Sequence, residues 1–165
     1  AMNNAKEVIE EVDKKFGEKF GRYYGGLVEE YRCEDAEVVL VGMGSVIGTS
    51  RIVVDKLRDM SLRVGLVKLR FYRPFPMEYF KGLSTRVKAI GVIDRDISFG
   101  YEGAVASDIK SALGSSGVCP KVINFIAGIA GRDITKENIE EMYYKLFNLT
   151  KGNEEKELQF IGLRW

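Results

Sequence analysis

The sequence predicts an α/β fold with three layers, in which a mainly parallel sheet of about five strands lies between two layers of helices. Two observations lead to this prediction. Short apolar runs rich in β-branched residues recur along the chain, and segments with apolar residues at helical spacing separate them. This alternation is typical of parallel sheets that are covered on both faces, because each crossover between neighbouring strands contains a helix.

The composition is that of a globular domain. The chain has 165 residues, of which 45% are hydrophobic and 30% are charged, and its net charge is +1. A core can therefore form, and the charge balance gives no strongly basic surface for nucleic acid. No apolar run approaches the roughly 20 residues that a membrane span needs, and no signal peptide is visible. We expect a cytoplasmic chain with neither nucleic acid nor membrane among its partners.

The residue types that are scarce restrict the chemistry. Histidine is absent, which excludes Ser-His and Cys-His nucleophiles, imidazole bases and histidine metal sites. The two cysteines, Cys33 and Cys119, are far apart and lack a CxxC partner, so this chain alone cannot supply a four-thiolate cluster or zinc site. Both are predicted to be buried or half-buried thiols in a reducing compartment. We assign no catalytic residue and no metal site to the chain.

The pattern divides the chain into three parts. We expect an N-terminal helix with an entry linker, an α/β domain, and a C-terminal tail or edge strand, over residues 1–36, 37–150 and 151–165. Apolar periodicity predicts the first helix at residues 5–16, with Gly17 ending it. Ala1 in front of Met2 resembles the remnant of a cleaved expression tag, so we expect the natural chain to begin further upstream.

The elements of the α/β domain follow from local signals. Strands are predicted at residues 38–41, 63–71, 87–94 and 121–125, and residues 158–165 are expected to form a strand or an apolar tail. Pro74 and Pro76 predict a stiff, extended corner after the second of these strands, followed by at most a short helix at residues 77–83. A longer helix is expected at residues 101–113, and Thr135 is expected to cap the next one.

A glycine-rich turn joins the first strand of this domain to an amphipathic helix. Glycines allow the chain to reverse tightly, and Ser45 is predicted to cap the helix that follows. Free backbone N–H groups at such a position can bind an anion. The candidate residues for an anion or small ligand are Gly42, Gly44, Ser45 and Gly48.

The spacing of this turn is only loosely related to the dinucleotide-binding fingerprint. A nicotinamide site expects an acidic residue at the end of the second strand, whereas this strand carries Lys68 and Arg70. The missing carboxylate argues against a self-contained nicotinamide-dependent oxidoreductase. Two interpretations stay open at this point, namely a purely structural turn and a small-ligand or nucleotide-binding regulatory module that uses the turn.

The loops at the carboxyl ends of the strands concentrate arginine, aspartate, glycine and aromatic residues. Parallel strands bring these loops to one edge, where sites usually form. The Asp94-Arg95-Asp96 and Arg132-Asp133 clusters can brace the loops as ion pairs, contact another domain, or act in catalysis. Arginine and aromatic residues are enriched at the centres of protein interfaces, which favours a contact surface.

Four ordered motifs carry a family resemblance. They are YRCEDAEVVLVGMGS, LRFYRPFP, VIDRDISFGYEG and AGIAGRDIT, at residues 31–45, 69–76, 92–103 and 127–135. In this order they resemble the transketolase carboxyl-terminal-like domain in the alpha subunit of pyruvate and other 2-oxoacid:ferredoxin oxidoreductases. The likeness covers about residues 17–147. The family motifs fall on Gly42, Gly44, Ser45, Arg73, Pro74, Asp94, Arg95, Gly100, Gly131, Arg132 and Asp133.

The resemblance implies a share in an enzyme that oxidatively decarboxylates a 2-oxoacid with coenzyme A and reduces ferredoxin. It implies that thiamine diphosphate, magnesium and iron–sulfur clusters lie in the rest of the enzyme and not in this chain. The partners would be other domains and subunits, with ferredoxin as an indirect partner. We therefore expect an inactive structural domain, whose candidate interdomain contacts are Arg70, Arg73, Pro74, Phe75, Asp94, Arg95, Ser98, Phe99, Gly131, Arg132 and Asp133.

Overall fold

A computed structural model describes residues 2–114, 117 and 119–163. Its strands are β1 Val28–Tyr31, β2 Val38–Gly42, β3 Val64–Leu69, β4 Ala89–Asp94, β5 Lys121–Ala127 and β6 Leu158–Ile161. Its α-helices are α1 Met2–Phe20, α2 Val46–Asp59, α3 Met77–Ser84, α4 Ala104–Gly114 and α5 Lys136–Thr150. A single 3₁₀ turn, Ile129–Gly131, follows β5 within the described residues.

The described strands form one six-stranded sheet in the order β1-β3-β2-β4-β5-β6. All neighbouring strands are parallel except β1, which pairs antiparallel with β3 and places Val28 opposite Leu69. The predicted α/β fold is confirmed. The sixth strand is β1, a short extended segment within the region that was predicted to be an entry linker.

Two apolar cores lie on opposite faces of the sheet. Helices α2 and α5 cover one face, and α3 and α4 cover the other. Every residue of β2 is buried, with Val38 and Leu40 in the first core and Val39 and Val41 in the second. This arrangement explains why the strand has no polar face, because successive side chains of a strand point to opposite sides.

Helix α1 is longer than predicted and passes through Gly17. The helix ends at Phe20. The N–H of the next residue, Gly21, donates a hydrogen bond to the Gly17 carbonyl at 2.8 Å, and Gly21 has a positive φ of 68°. A Cβ at Gly17 would collide with the ring of Tyr23, so this glycine allows close packing and does not terminate the helix. The prediction that α1 ends at Gly17 was wrong.

The structure confirms one of the two predicted helix caps and contradicts the other. Ser45 precedes α2 with helical φ and ψ of −71° and −26°, and its side chain forms no capping bond, so that prediction was wrong. A capping residue needs extended backbone to turn its oxygen toward the first N–H groups. Thr135 is extended, and its hydroxyl accepts a 3.3 Å hydrogen bond from the Asn138 N–H, which confirms the predicted cap of α5.

The cysteines also differ from each other. Cys33 is buried as predicted, whereas Cys119 is exposed, and burial raises the pKa of the Cys33 thiol to about 11.

Among the described residues, no helix combines the length and the apolar composition that crossing a bilayer requires.

Candidate functional site

The carboxyl ends of β2, β4 and β5 form the edge at which the predicted site residues were expected. Strands β3 and β4 lie on opposite sides of β2, so the strand order reverses at β2. Ligands of open α/β sheets bind in the crevice at such a reversal. We call the loops 43–45, 95–103 and 128–135 together the carboxyl-edge surface.

A buried polar pair organises the base of this surface. Asp94, the last residue of β4, accepts hydrogen bonds from the Val105 and Ala106 N–H groups, each at 3.1 Å. These N–H groups belong to the first turn of α4, where a helix has no internal acceptors. The side-chain amide of Asn124 in β5 donates to Asp94 Oδ2 at 2.9 Å, and Asn124 Oδ1 accepts from the Gly103 N–H at 2.8 Å. Asp94 therefore fixes the start of α4.

Close approach at this pair requires glycine. A Cβ at Gly103 would collide with the Asp94 carboxylate. Burial raises the pKa of Asp94 above its ordinary value, although the hydrogen bonds from Ala106, Val105 and Asn124 favour the charged form. Because Asp94 is only 2% exposed, it acts within the domain and supports the loop above it.

Arg95 connects two loops of the carboxyl-edge surface. Its guanidinium donates a 3.2 Å hydrogen bond to the carbonyl of Gly128, the residue that follows β5. A Cβ at Gly128 would lie 2.9 Å from Arg95 Nε, so there is little space for a side chain. Gly128 also has a positive φ of 73°, a backbone conformation that favours glycine. The loop after β4 is thus held against the loop after β5.

The loop after β4 ends in an exposed aromatic tip. The Ser98 N–H bonds to the Glu102 carbonyl at 3.0 Å, and the Tyr101 N–H bonds to the Ser98 carbonyl at 2.9 Å. Gly100 completes this tight turn with a φ of 78°. Phe99 at the tip is 99% exposed, and Tyr101 beside it is 65% exposed. A side chain as apolar as Phe99 in full contact with solvent is a marker of an interaction site when it belongs to a larger polar-rimmed patch.

Exposed charged residues lie in the loops after β4 and β5 and do not pair with one another. Gly131, Arg132 and Asp133 are exposed in the loop after β5. Within the part of the chain that the structure describes, the side chains of Asp96, Arg132 and Asp133 form no ion pair. The loops are braced instead by side-chain bonds from Asp94 and Arg95 to backbone groups. The exposed charges stay available to a partner.

The predicted contact residues after β3 interact with other residues of the same domain. Arg73 lies 2.7 Å from the Asp108 carboxylate and 4.0 Å from the centre of the Tyr72 ring. Pro74 is buried and follows a cis peptide bond, and the ring of Phe75 stacks on Phe80 at 5.4 Å.

Arg70, the remaining residue of this group, is half-buried at the end of β3. It pairs with Asp13 of α1 at 3.1 Å and donates to the Gly26 carbonyl at 2.9 Å. The structure therefore places Arg70 toward α1 and not with the aromatic tip.

The glycine turn after β2 has one position that requires glycine. Gly44 has a φ of 72°, which disfavours other residues. Gly48 lies within α2 and has open space where a Cβ would be. Ser45 and Gly48 are exposed, and Gly42 is buried against Ile47, so the four predicted ligand residues line an open turn.

Two polar groups near the site were missed by sequence reasoning. Asn124 stands within an apolar strand pattern, and this single polar residue was the signal available in the sequence. Buried Glu102 accepts a 2.7 Å bond from Lys110, which also reaches Glu157 at 3.1 Å. Burial lowers the pKa of Lys110, but the two carboxylates outweigh it and the pKa lies above its ordinary value. No local pattern indicated this bridge, because Glu157 lies far along the chain.

The described residues do not match the ligand set of a metal–diphosphate cofactor or an iron–sulfur cluster. Among them, no group of three or more cysteine or carboxylate side chains converges on one point. Both oxygens of Asp94 are engaged by N–H donors, and the two cysteines are a buried and an exposed thiol on different elements.

The α/β fold of this chain is shared by parts of two solved structures. A solved split-gene transketolase, described as an inactive beta4 tetramer, superposes with a TM-score of 0.60 over 78% of this chain and 44% of that chain, at 13% identity. A 2-oxoglutarate:ferredoxin oxidoreductase from Magnetococcus marinus superposes with a TM-score of 0.54 over 88% of this chain and 24% of that chain, at 18% identity. At these identities the likeness establishes the fold alone.

The chain belongs to the family of pyruvate:ferredoxin oxidoreductase core domain II, whose model matches residues 36–139. The chain is 43% identical to the pyruvate synthase subunit PorA of Pyrococcus abyssi, over 99% of this chain and 42% of the relative. It is also 43% identical to PorA of Methanothermobacter thermautotrophicus, over 99% of this chain and 40% of the relative.

A relative with a different named substrate is nearly as similar. The ketoisovalerate oxidoreductase subunit VorA of Pyrococcus horikoshii is 39% identical over 99% of this chain and 42% of the relative. The chain thus spans about two-fifths of the length of these curated relatives. The family resemblance predicted from the four motifs is confirmed.

Proposed function

We propose that this chain is the non-catalytic contact domain in the alpha subunit of a cytoplasmic 2-oxoacid:ferredoxin oxidoreductase. The family membership and the PorA relatives favour pyruvate as the substrate. The complete enzyme would convert pyruvate, coenzyme A and oxidised ferredoxin to acetyl-CoA, carbon dioxide and reduced ferredoxin. Thiamine diphosphate, magnesium and iron–sulfur clusters would be bound by the rest of that enzyme, and ferredoxin would meet this chain only indirectly.

The observation that carries the proposal is the exposed aromatic tip on a rigid base. Phe99 is 99% exposed, yet the loop that presents it is fixed by its own turn and by Asp94 and Asn124 beneath it. A contact residue that is already held in place loses little conformational freedom on binding, which favours affinity. The unpaired charges of Arg132 and Asp133 in the loop after β5, which Arg95 joins to the loop of Phe99, can contribute polar contacts to the same interface.

The contribution of such a domain to catalysis would be positional. Reacting groups must be held in a near-attack geometry, and a displacement of about 1 Å can lower the rate on the order of a hundredfold. A domain that keeps the cofactor-binding domains in register would therefore affect turnover without touching the substrate.

The first experiment tests whether the chemistry lies elsewhere. The purified chain is mixed with pyruvate, coenzyme A, thiamine diphosphate, magnesium and an electron acceptor, and carbon dioxide release is measured. We expect no turnover from the chain alone. Sustained turnover, or tight binding of thiamine diphosphate in a calorimetric titration, would overturn the proposal.

The second experiment tests the contact surface in the assembled enzyme. The subunit that contains this domain is co-expressed with the subunits encoded beside it, and their co-purification is measured for Phe99→Asp and for Arg132→Glu. We expect both variants to weaken assembly or to lower turnover of the complex, while Tyr144→Asp, an exposed tyrosine on α5, leaves both unchanged. Full assembly and activity of the Phe99 variant would contradict the assignment of this surface.

A second candidate function is a small-ligand or nucleotide-binding module that uses the glycine turn. The observation in its favour is that Gly42 and Gly44 follow β2, the strand at which the strand order reverses. Calorimetric titration with coenzyme A, nucleotides and thiamine diphosphate tests it. Micromolar binding that is lost in Ser45→Glu would support this function, because the new carboxylate would repel an anion at the turn.

A further inference from the structure

The first helix carries an apolar stripe that its own domain covers only in part. Val8, Val12, Phe16 and Phe20 recur every fourth residue along α1 and are 55%, 57%, 40% and 56% exposed. Residues four apart lie on one face of a helix, so these side chains form a single ridge. Four large apolar side chains in a row on one exposed helix face are unusual for a surface that stays in water.

The helix is attached to the domain by a different face. The Asp13 carboxylate accepts hydrogen bonds from the N–H groups of Tyr24, Gly25 and Gly26 at 3.1–3.3 Å. Asp13 also pairs with Arg70 at 3.1 Å. These contacts fix how α1 is rotated about its axis, so the stripe is held outward by the domain itself.

A groove runs between the stripe and the domain. Val8, Val12 and Phe16 form one wall, Tyr24 and Phe71 form the other, and the groove has a volume of about 340 Å³. The ring of Phe16 lies 5.9 Å from that of Tyr24. A ridge of side chains from another helix can pack into such a groove, because helices associate by placing ridges into grooves.

The charges beside the stripe indicate which helix fits. The residues one position before each stripe residue are exposed, and they are Glu7, Glu11, Lys15 and Lys19. One half of this flank is acidic and the other half is basic. A second copy of α1 in the antiparallel direction would place its lysines beside the acidic half and its acids beside the basic half. A parallel copy would place like charges together.

Twofold symmetry makes this complementarity reciprocal. In a symmetric pair, Glu11 of one copy faces Lys15 of the second copy, and the same contact forms again across the axis. Within one chain Lys15 already bonds to Glu11, but both side chains are more than half exposed, so this intrahelical pair is weak and can re-form between copies.

We propose that two copies of this chain associate through their α1 helices, antiparallel, with each stripe in the groove of the other copy. The proposal does not depend on the proposed function, because it concerns a different surface and is tested by assembly alone. The mass of the full chain is measured by sedimentation equilibrium from micromolar to millimolar concentration. We expect a reversible monomer–dimer equilibrium, and a chain that stays monomeric throughout this range overturns the proposal.

Substitutions of exposed residues locate the interface. Val12→Glu is expected to raise the dissociation constant of the dimer at least about tenfold, because a charge would be buried at the centre of the stripe. The matched control is Ile52→Glu, which changes a 53% exposed apolar residue on α2 and is expected to leave the dimer unchanged. Equal effects of the two variants, or no effect of Val12→Glu, would overturn the proposed interface.

A charge-reversal experiment tests the direction of the helices. One variant combines Glu7→Lys with Glu11→Lys, and the other combines Lys15→Glu with Lys19→Glu. Each variant alone has a flank of one sign and is expected to be monomeric, whereas an equimolar mixture is expected to form a heterodimer. Circular dichroism of each variant checks that α1 stays helical. A mixture that remains monomeric although both variants are helical overturns the antiparallel pairing.

Discussion

The side-chain amide nitrogen of Asn124 lies 2.9 Å from Asp94 Oδ2, which joins the ends of β4 and β5 by a buried polar pair. The same asparagine accepts a hydrogen bond from the Gly103 N–H, and Asp94 accepts two from the start of α4. The loop that carries the exposed Phe99 thus begins at Asp94 and ends at Gly103, and buried hydrogen bonds hold both of these residues. The rigidity of the carboxyl-edge surface therefore originates in two residues that solvent does not reach.

Removal of Asn124 is expected to destabilise the domain. Asn124→Leu keeps a similar volume but leaves the buried Gly103 N–H without a partner and removes one of the two hydrogen bonds that Asp94 Oδ2 accepts. A buried group that loses its partner costs about 1–3 kcal/mol, so we expect the free energy of unfolding to fall by about that amount. Urea denaturation measures the change. Asn153→Leu, at an exposed position, serves as the control, and similar losses in both variants would contradict the assignment.

The raised pKa of Asp94 predicts a specific pH dependence. Because the pKa in the folded state lies above the ordinary value of 3.8, the contribution of this group to stability is complete below that value and is lost as the pH rises through the folded pKa. Asp94→Asn removes this contribution. We therefore expect the free energy of unfolding of the variant minus that of the wild type to increase as the pH rises from 3.8 toward neutrality. Urea denaturation of both proteins at several pH values measures this difference in the free energy of unfolding. A difference that decreases as the pH rises would contradict a raised pKa of Asp94.

Two glycine-to-alanine substitutions should have opposite effects. Gly103→Ala places a methyl group against the Asp94 carboxylate, and we expect a loss of about 1–3 kcal/mol from overpacking. Gly48→Ala has open space inside α2, and we expect a gain of about 0.5–1 kcal/mol from higher helix propensity. Thermal and urea denaturation compare the two. A stabilising Gly103→Ala would show that the close approach is absent.

Adjacent tyrosines on α5 provide a matched pair. Tyr143 is fully buried, and its hydroxyl donates a 2.9 Å hydrogen bond to the Gly65 carbonyl in β3, whereas Tyr144 is 44% exposed. Tyr143→Phe removes this bond and should lower the free energy of unfolding by about 0.5–1.5 kcal/mol. Tyr144→Phe should change it by less than about 0.5 kcal/mol, since it alters an exposed position. Equal changes in the two variants would argue against the bond.

Local signals in the sequence were sufficient for the architecture. Short apolar, β-branched runs such as β2 favour strands buried on both faces, and Thr135 with Asn138 forms a cap between residues three positions apart. The prediction for Ser45 failed because residue type alone does not determine φ and ψ at the position before a helix. The prediction for Gly17 failed because the partner that requires a glycine there, Tyr23, packs back against the helix.

The residues at the candidate site were less predictable, for a physical reason. Asp94 and Arg95 were singled out from their positions after β4, but their partners, Asn124 and Gly128, belong to the next strand and its loop. Pairing across a parallel sheet joins residues that are distant in sequence, so no local pattern reports it. The assignment of the exposed residues to an interdomain contact stays a prediction, as does the division of the chain into three parts.

Complete burial of β2 on both faces has a consequence for shortened versions of this chain. A truncation before α5 would remove one of the two helices that cover Val38 and Leu40, while Val39 and Val41 stay covered by α3 and α4. The uncharged, strongly β-forming VVLV segment would then be partly exposed on one face, which favours the growth of insoluble aggregates. A usable fragment for crystallisation or screening must therefore retain both helical layers.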